Sequence, residues 1–179
     1  NVKGGSQTGG LVGDMLMGSV INESFVRGII TTDNSLVGGL VGEVKTGAIV
    51  NKSFAVVSIT GLSTSDSVGG LVGRNGGFVD NSYAKGTISG GQRVAGLVGD
   101  LNGGTLKRSY STSDVVGTSL AGGLVGRQTG AYVFLNSFYD QTNVTITASS
   151  FNTIGATANS NLISQSFLTT NGWDFGTIW

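Results

Sequence analysis

A repeat of about 28 residues runs along most of this chain and limits what the chain can fold into. The tetrapeptide Gly-Leu-Val-Gly occurs five times, and its copies begin at Gly10, Gly39, Gly70, Gly96 and Gly123. Each copy is followed by a serine and an aromatic residue, at 24–25, 53–54, 82–83, 109–110 and 137–138, and a sixth such pair is Ser166–Phe167. Successive serines are 27 to 29 residues apart. This period is typical of solenoids, in which each repeat stacks on the next.

Each repeat is predicted to form β-strands. The chain is rich in Gly, Ser, Thr and Val, and no segment has apolar residues at the spacing of a helix. Three segments per repeat have strand character: the Gly-Leu-Val-Gly segment, the segment that ends at the serine–aromatic pair, and a segment with a β-branched residue six positions after the serine. A β-propeller is the alternative, but its blades need about 40 to 45 residues.

We therefore predict an all-β fold, a right-handed parallel β-helix of five to six coils, right-handed because crossover connections nearly always are. Residues 1–138 are expected to form five repeats, and 139–179 an irregular last coil with a C-terminal cap. The sequence has 32 Gly and no Pro. Glycine is expected at the coil corners, where it adopts positive φ at no steric cost, and the lack of proline agrees with unbroken hydrogen-bonded ladders.

Stacked coils bring equivalent residues into columns. An interior column is predicted for the leucines Leu11, Leu40, Leu71, Leu97 and Leu124. Strand alternation directs the neighbouring valines outward, but the flanking glycines are expected to permit a bend that buries most of both columns. The aromatic residues are expected to stack on one another. The repeated serines are predicted to bond the backbone at a corner.

Composition excludes several kinds of site. The chain has no Cys and no His, so it has no disulfide, no thiol nucleophile, no Ser-His-Asp triad and no His-ligated metal. We expect neither a cofactor nor a metal. Ten Lys and Arg balance ten Asp and Glu, so no basic stripe for nucleic acid is expected. No apolar run approaches the length of a membrane span, and the start at Asn1 indicates a mature protein or a fragment of a longer parent chain.

One column of charged residues is the main candidate for catalysis. The residue after each Gly-Leu-Val-Gly is Asp14, Glu43, Arg74, Asp100 or Arg127. We predict a solvated ladder whose pairs contribute about 0–1 kcal/mol each. The alternative is that Asp14 and Glu43, about 5 Å apart, act as the carboxylate pair of a retaining glycosidase. No second acidic cluster supports this alternative, so we expect no enzyme activity.

Insertions between the repeats and the aromatic C-terminus are the candidate binding residues. Insertions in solenoids project from one face, which often binds a partner. The candidate loop residues are Asp33, Asn34, Ser63, Thr64, Asp66, Gln92, Arg93, Thr118 and Ser119. The aromatic residues Trp173, Phe175 and Trp179 are predicted to cap the last coil, and a platform for sugar stacking is the alternative.

Repeats of Gly-Gly-Leu-Val-Gly followed by Asn-x-Ser-aromatic resemble the GLUG-motif repeats of secreted bacterial proteins. Such repeats occur in filamentous-haemagglutinin-like exoproteins and adhesins and in accessory regions of immunoglobulin-A-cleaving peptidases. The resemblance implies a secreted or cell-surface segment that presents loops to a host or bacterial surface protein or glycan. The alternative is an accessory spacer or glycan-binding module of a larger secreted enzyme. No peptidase activity is implied, because the zinc-binding motif requires His.

Overall fold

The computed structural model describes residues 1–142, 145–157 and 164–173. Their strands pair in parallel from one repeat to the next and form a β-helix of about five coils. Paired aromatic residues such as Phe25 and Phe54, or Tyr83 and Tyr110, show that successive coils are offset by 27 to 29 residues. The predicted parallel β-helix is thus confirmed, and the parallel pairing rules out a propeller.

Four parallel sheets run along the axis, here called A to D. Sheet A consists of β1 (Val2–Gly4), β5 (Phe25–Thr32), β9 (Phe54–Gly61), β13 (Tyr83–Ser89), β17 (Tyr110–Val116), β21 (Phe138–Asp140) and β24 (Ala156–Thr157), with β22 (Ile146–Thr147) paired to β17. Sheet B consists of β2 (Thr8–Gly9), β6 (Val37–Gly38), β10 (Asp66–Gly69), β14 (Gln92–Ala95), β18 (Ala121–Gly122) and β23 (Phe151–Asn152).

The other two sheets have five strands each. Sheet C consists of β3 (Val12–Met15), β7 (Val41–Val44), β11 (Val72–Asn75), β15 (Val98–Asn102) and β19 (Val125–Thr129). Sheet D consists of β4 (Val20–Asn22), β8 (Ile49–Asn51), β12 (Phe78–Asp80), β16 (Thr105–Lys107) and β20 (Val133–Leu135). One described helix, α1 (Gln165–Thr170), follows the strands.

Each coil has four strands, so the prediction of three is wrong. The Gly-Leu-Val-Gly segment is not one strand: β6 ends at Gly38, β7 begins at Val41, and the first two residues of the segment turn the chain from sheet B to sheet C. The sequence does not predict this additional corner, because a tetrapeptide of small and apolar residues is compatible with one continuous strand.

The glycines of this corner meet a steric demand, and the expectation of positive φ at them is wrong. A Cβ at Gly69 would lie closer than 3.0 Å to backbone atoms of Val72, Leu97 and Gly99. The expectation is confirmed at the corner between sheets C and D, where Gly18, Gly47, Gly103 and Gly130 have positive φ. Positive φ angles of 37° to 59° also occur in two columns of other residues. One column precedes the serines, at Glu23, Lys52, Asn81, Arg108 and Asn136, and the other lies at the start of sheet B, at Gln7, Leu36, Ser67, Arg93 and Leu120.

Both apolar columns of the Gly-Leu-Val-Gly segment are buried. Leucine is fully buried at 40, 71, 97 and 124, and valine at 41, 72, 98 and 125. The predicted bend therefore exists, and it directs both side chains into the interior. Leu11 is the exception, with 50% of its surface exposed, because its coil is the first and is covered on one side only.

The aromatic residues that begin the long strands of sheet A stack on its outer face. The ring centroids of Phe25 and Phe54, of Phe54 and Tyr83, and of Tyr83 and Tyr110 are 5.1, 4.8 and 5.0 Å apart, and the rings are nearly parallel. The sixth serine–aromatic pair departs from the pattern: Ser166 and Phe167 lie on α1, and the ring of Phe167 tilts by 55° against Phe138.

Burial raises the pKa of Tyr110 to about 12. A phenol whose pKa is higher in the folded than in the unfolded state stabilises the fold below the unfolded value of about 10, and this contribution is lost as the pH rises. We expect the melting temperature to fall between pH 10 and pH 12. A Tyr110→Phe variant should lose part of this dependence, which thermal melts at pH 8, 10 and 11.5 would measure. If the melting temperatures of both proteins fell equally at alkaline pH, the fall would not be caused by ionisation of Tyr110.

Candidate functional site

Six of the nine candidate loop residues lie at one corner of the β-helix, where the chain passes from sheet A to sheet B, and Asp66, Gln92 and Arg93 lie on the adjoining strands of sheet B. We call this corner the A–B corner, and it comprises residues 33–36, 62–65, 90–91 and 117–120. Its loops stack along the axis. The amide of Gly91 donates to the carbonyl of Ser65 at 2.9 Å, and both the amide and the hydroxyl of Thr118 donate to the carbonyl of Gly91, at 2.7 and 2.9 Å.

The candidate residues differ in how far they are presented at this corner. Exposed side chains are those of Asp33, Ser63, Thr64, Gln92 and Thr118. Asn34 and Ser119 are half-buried, and Asn34 donates to the carboxylate of Asp33 at 2.6 Å. Asp66 and Arg93 lie on strands β10 and β14 and form an ion pair with each other. A binding role for these nine residues stays a prediction.

Asp100 is the centre of a charge cluster that was not foreseen. Its carboxylate is completely buried, and the guanidinium groups of three arginines surround it. Arg127 donates to both oxygens, at 2.8 and 3.1 Å, while the nitrogens of Arg93 and Arg74 lie 3.4 and 3.5 Å away. Burial lowers the pKa of Arg93, and the neighbouring charge of Arg127 lowers it further. The prediction of a solvated ladder is therefore wrong at this position.

Asp14 and Glu43 pair in register at the other end of the same column, as expected. Each carboxylate has its own partner: Asp14 accepts from the ammonium of Lys45 at 2.7 Å, and Glu43 accepts from the amide of Gln7 at 2.7 Å. The guanidinium of Arg74 lies 3.7 Å from Glu43. Both groups thus take part in cross-coil contacts that hold sheet C together, the arrangement of a structural ladder.

The repeated serines form a hydrogen-bonded column between sheets D and A. The hydroxyl of Ser82 donates to the carbonyl of Asp80 at 2.7 Å and accepts from the amide of Ser53 at 3.1 Å. The hydroxyls of Ser53, Ser109 and Ser137 make the same two kinds of bond one coil away. The predicted structural role is confirmed for these serines, and Ser166 on α1 lies outside the column.

A Ser82→Ala variant is expected to lose about 2 kcal/mol of stability, because the buried amide of Ser53 loses its partner and the carbonyl of Asp80 loses one of its two donors. Ser24→Ala is the matched control. Ser24 is at the first coil, and its hydroxyl bonds the carbonyl of Asn22. Urea unfolding of both variants would measure the difference, and equal losses would show that the column adds nothing beyond a local turn contact.

Of the three candidate cap residues, Trp173 lies within the described residues, and Phe175 and Trp179 lie outside them. Trp173 is 4% exposed, and its indole nitrogen donates to the carbonyl of Asn136 at 3.0 Å. Its ring tilts against Tyr110, with centroids 5.6 Å apart. Trp173 thus covers the aromatic column from outside sheet A, and its role as a cap stays a prediction.

Sheet D has a groove on its outer face that sequence reasoning missed. The groove, of about 510 Å³, is lined by apolar residues of one column and polar residues of another. Phe78 is 47% exposed there. Burial raises the pKa of Asp80 at its edge, although the ion pair with Arg108 opposes this effect. The sequence contains one indication of this groove, the distance from Gly-Leu-Val-Gly to the serine. This distance is shorter in the repeat that contains Phe78, because the corner between sheets C and D has two residues before Phe78 and four before Ile49.

Comparison with known proteins adds one finding. Residues 64–89 match the family model described as the GLUG motif. The chain contains a GLUG motif. The matched segment runs from the A–B corner through strands β10 to β13, and thus takes one strand from each sheet. The motif is typical of secreted and surface proteins of bacteria. Neither a curated protein nor a solved structure was found to match the chain.

Two further properties concern the described residues. No helix among them is long and apolar enough to cross a membrane. No group of three or more acidic side chains in the same residues is arranged to hold a metal ion.

Proposed function

We propose that this chain is a non-catalytic β-helix segment of a secreted or cell-surface bacterial protein, and that it presents the A–B corner to a host or neighbouring surface. The observation that carries the proposal is the stacking of the candidate loops at one corner of a β-helix whose four sheets are hydrogen-bonded from coil to coil. A GLUG motif that coincides with one complete coil supports this role.

The absence of catalysis is part of the proposal. Asp14 and Glu43, the best candidates for acid–base chemistry, are paired with Lys45 and Gln7. The recurring serines bond backbone groups and lie between two sheets, where a nucleophile would be unable to reach a substrate. The ordered columns support a mechanical role, because every coil repeats the same contacts along the axis.

A bead-binding assay with two triple variants tests the proposal. The first variant replaces two exposed residues of the A–B corner, Ser63→Lys and Thr64→Lys, and the exposed residue that follows this corner at the start of β14, Gln92→Lys. The second replaces exposed residues on the outer face of sheet A, Ser58→Lys, Thr87→Lys and Thr112→Lys, and adds the same charge. Beads coated with each protein are counted on epithelial cells and on bacterial cells.

We expect wild-type beads to adhere, the first variant to bind at least about fivefold more weakly, the effect of losing about 1 kcal/mol of contact energy, and the second to bind as wild type. An equal effect of both variants would show that charge alone controls adhesion. If wild-type beads do not adhere to either kind of cell, the adhesive role is contradicted, and the alternative role of a passive spacer is favoured.

A further inference from the structure

The groove on sheet D belongs to a different face from the A–B corner. Its floor is an apolar column in which Val20, Ile49 and Phe78 are exposed neighbours on adjacent strands. Beside Phe78 the C–D corner consists of Gly76 and Gly77, which have no side chains to cover the ring. These exposed apolar side chains lie side by side on adjacent strands, an arrangement found in ligand-binding grooves.

Polar side chains form a second column parallel to the apolar floor. Its members, in order along the axis, are Asn22, Asn51, Asp80 and Lys107. The amide nitrogen of Asn51 donates to the oxygen of Asn22 at 2.9 Å, so the amides are held in line. The row offers hydrogen-bond donors and acceptors, and its one carboxylate, that of Asp80, is already neutralised by the guanidinium of Arg108.

The spacing of these columns discriminates between polymeric ligands. Strands within a sheet are about 4.8 Å apart, so each column repeats at this interval along the axis. In an extended peptide, side chains on one face recur at about 6.7 Å, twice the rise per residue, and they would lose register with the columns within two coils. A straight β-linked glycan advances by a step close to the coil interval and has apolar ring faces between hydroxyl-bearing edges.

We propose that the groove binds an uncharged β-1,4-linked oligosaccharide that lies along the β-helix axis. Sugar rings stack on Phe78, Ile49 and Val20, and hydroxyl groups exchange hydrogen bonds with Asn22, Asn51 and Asp80. The one-to-one match between sugar units and coils fixes the orientation of the ligand, and a helically coiled α-linked glycan lacks this match.

Isothermal titration calorimetry with cellohexaose, chitohexaose and maltohexaose tests the proposal on the full chain. We expect one of the two β-1,4-linked hexasaccharides to bind and maltohexaose to bind at least tenfold more weakly. Phe78→Ala should raise the dissociation constant at least tenfold. Phe25→Ala is the matched control, because Phe25 is also a mostly exposed phenylalanine at a strand start, but on sheet A. It should leave the constant unchanged.

Three results would overturn the proposal: no heat with either β-linked glycan, equal binding of maltohexaose, or equal effects of Phe78→Ala and Phe25→Ala. Circular dichroism of both variants distinguishes a lost contact from a lost fold. The triple variant at the A–B corner is expected to bind the glycan as wild type. Failure of the groove and failure of the adhesive role are therefore separable.

Discussion

A Gly69→Ala variant is expected to lose about 3 kcal/mol of stability or more, because the added methyl group meets backbone on three sides. The ideal Cβ would lie within 3.0 Å of the carbonyl oxygens of Val72 and Leu97 and of the amide nitrogen of Gly99. These are backbone atoms of the same corner and of the next coil, so no side chain can rotate away. This steric clash is relieved only if the two coils separate, and the separation lengthens the hydrogen bonds between β10 and β14.

Gly76→Ala is the control for this variant. Gly76 also lies in the middle of the β-helix, but its nearest neighbours to an added Cβ are at 3.4 and 3.5 Å, an ordinary contact distance. We expect a change of less than about 1 kcal/mol, since the alanine also restricts the unfolded chain. Thermal and urea unfolding of both variants would measure the contrast. Similar losses would mean that the corner adjusts to a methyl group and that glycine is not required there.

The same corner shows how far the sequence predicts the fold. The period, the parallel stacking and the leucine column follow from the repeat, because coils of equal length bring equivalent residues together. The fourth strand does not follow from it. It lies in sheet B, and left-handed backbone occurs at the start of this sheet at residues such as Leu36 and Arg93, whose types do not favour positive φ. The sequence of a single coil gives no sign of this conformation.

The two candidate surfaces were predictable to different degrees. The A–B corner was predicted from insertion lengths, because an insertion in a solenoid has to leave the sheets at a corner. The groove on sheet D was not, because it depends on which side chains of three-residue strands point outward. The pattern Phe78-Val79-Asp80 becomes informative once the register places Ile49 and Asn51 beside it.

For the column of charged residues on sheet C, the register was predicted correctly, but the burial of Asp100 was not. Arg74, Asp100 and Arg127 follow from the repeat as neighbours on adjacent strands. Arg93 lies on sheet B, and its guanidinium reaches Asp100 across the B–C corner, where it adds a third positive group. A carboxylate beneath three guanidinium groups loses contact with water, so the rule for exposed ion pairs does not apply to it.

Asp100→Asn is expected to cost about 3 kcal/mol of stability, a value within the range for breaking a buried ion pair. The amide keeps the shape of the carboxylate, but its nitrogen is a donor and faces the donors of Arg74, Arg93 or Arg127. The three guanidinium groups then repel one another without a neutralising charge between them. Arg127 is the arginine most affected, because both of its hydrogen bonds to the Asp100 carboxylate are altered.

Glu23→Gln removes the same charge from an exposed pair and is the control for this variant. Glu23 lies 3.5 Å from Lys52 and is mostly in water, so a change below about 1 kcal/mol is expected. Guanidinium chloride screens charges, so urea unfolding in low and in high NaCl is the appropriate measurement. The loss in Asp100→Asn should persist in 0.5 M NaCl, because a dry contact is poorly screened. A loss as small as that of Glu23→Gln would show that the arginines are hydrated and that the ladder is a solvated surface after all.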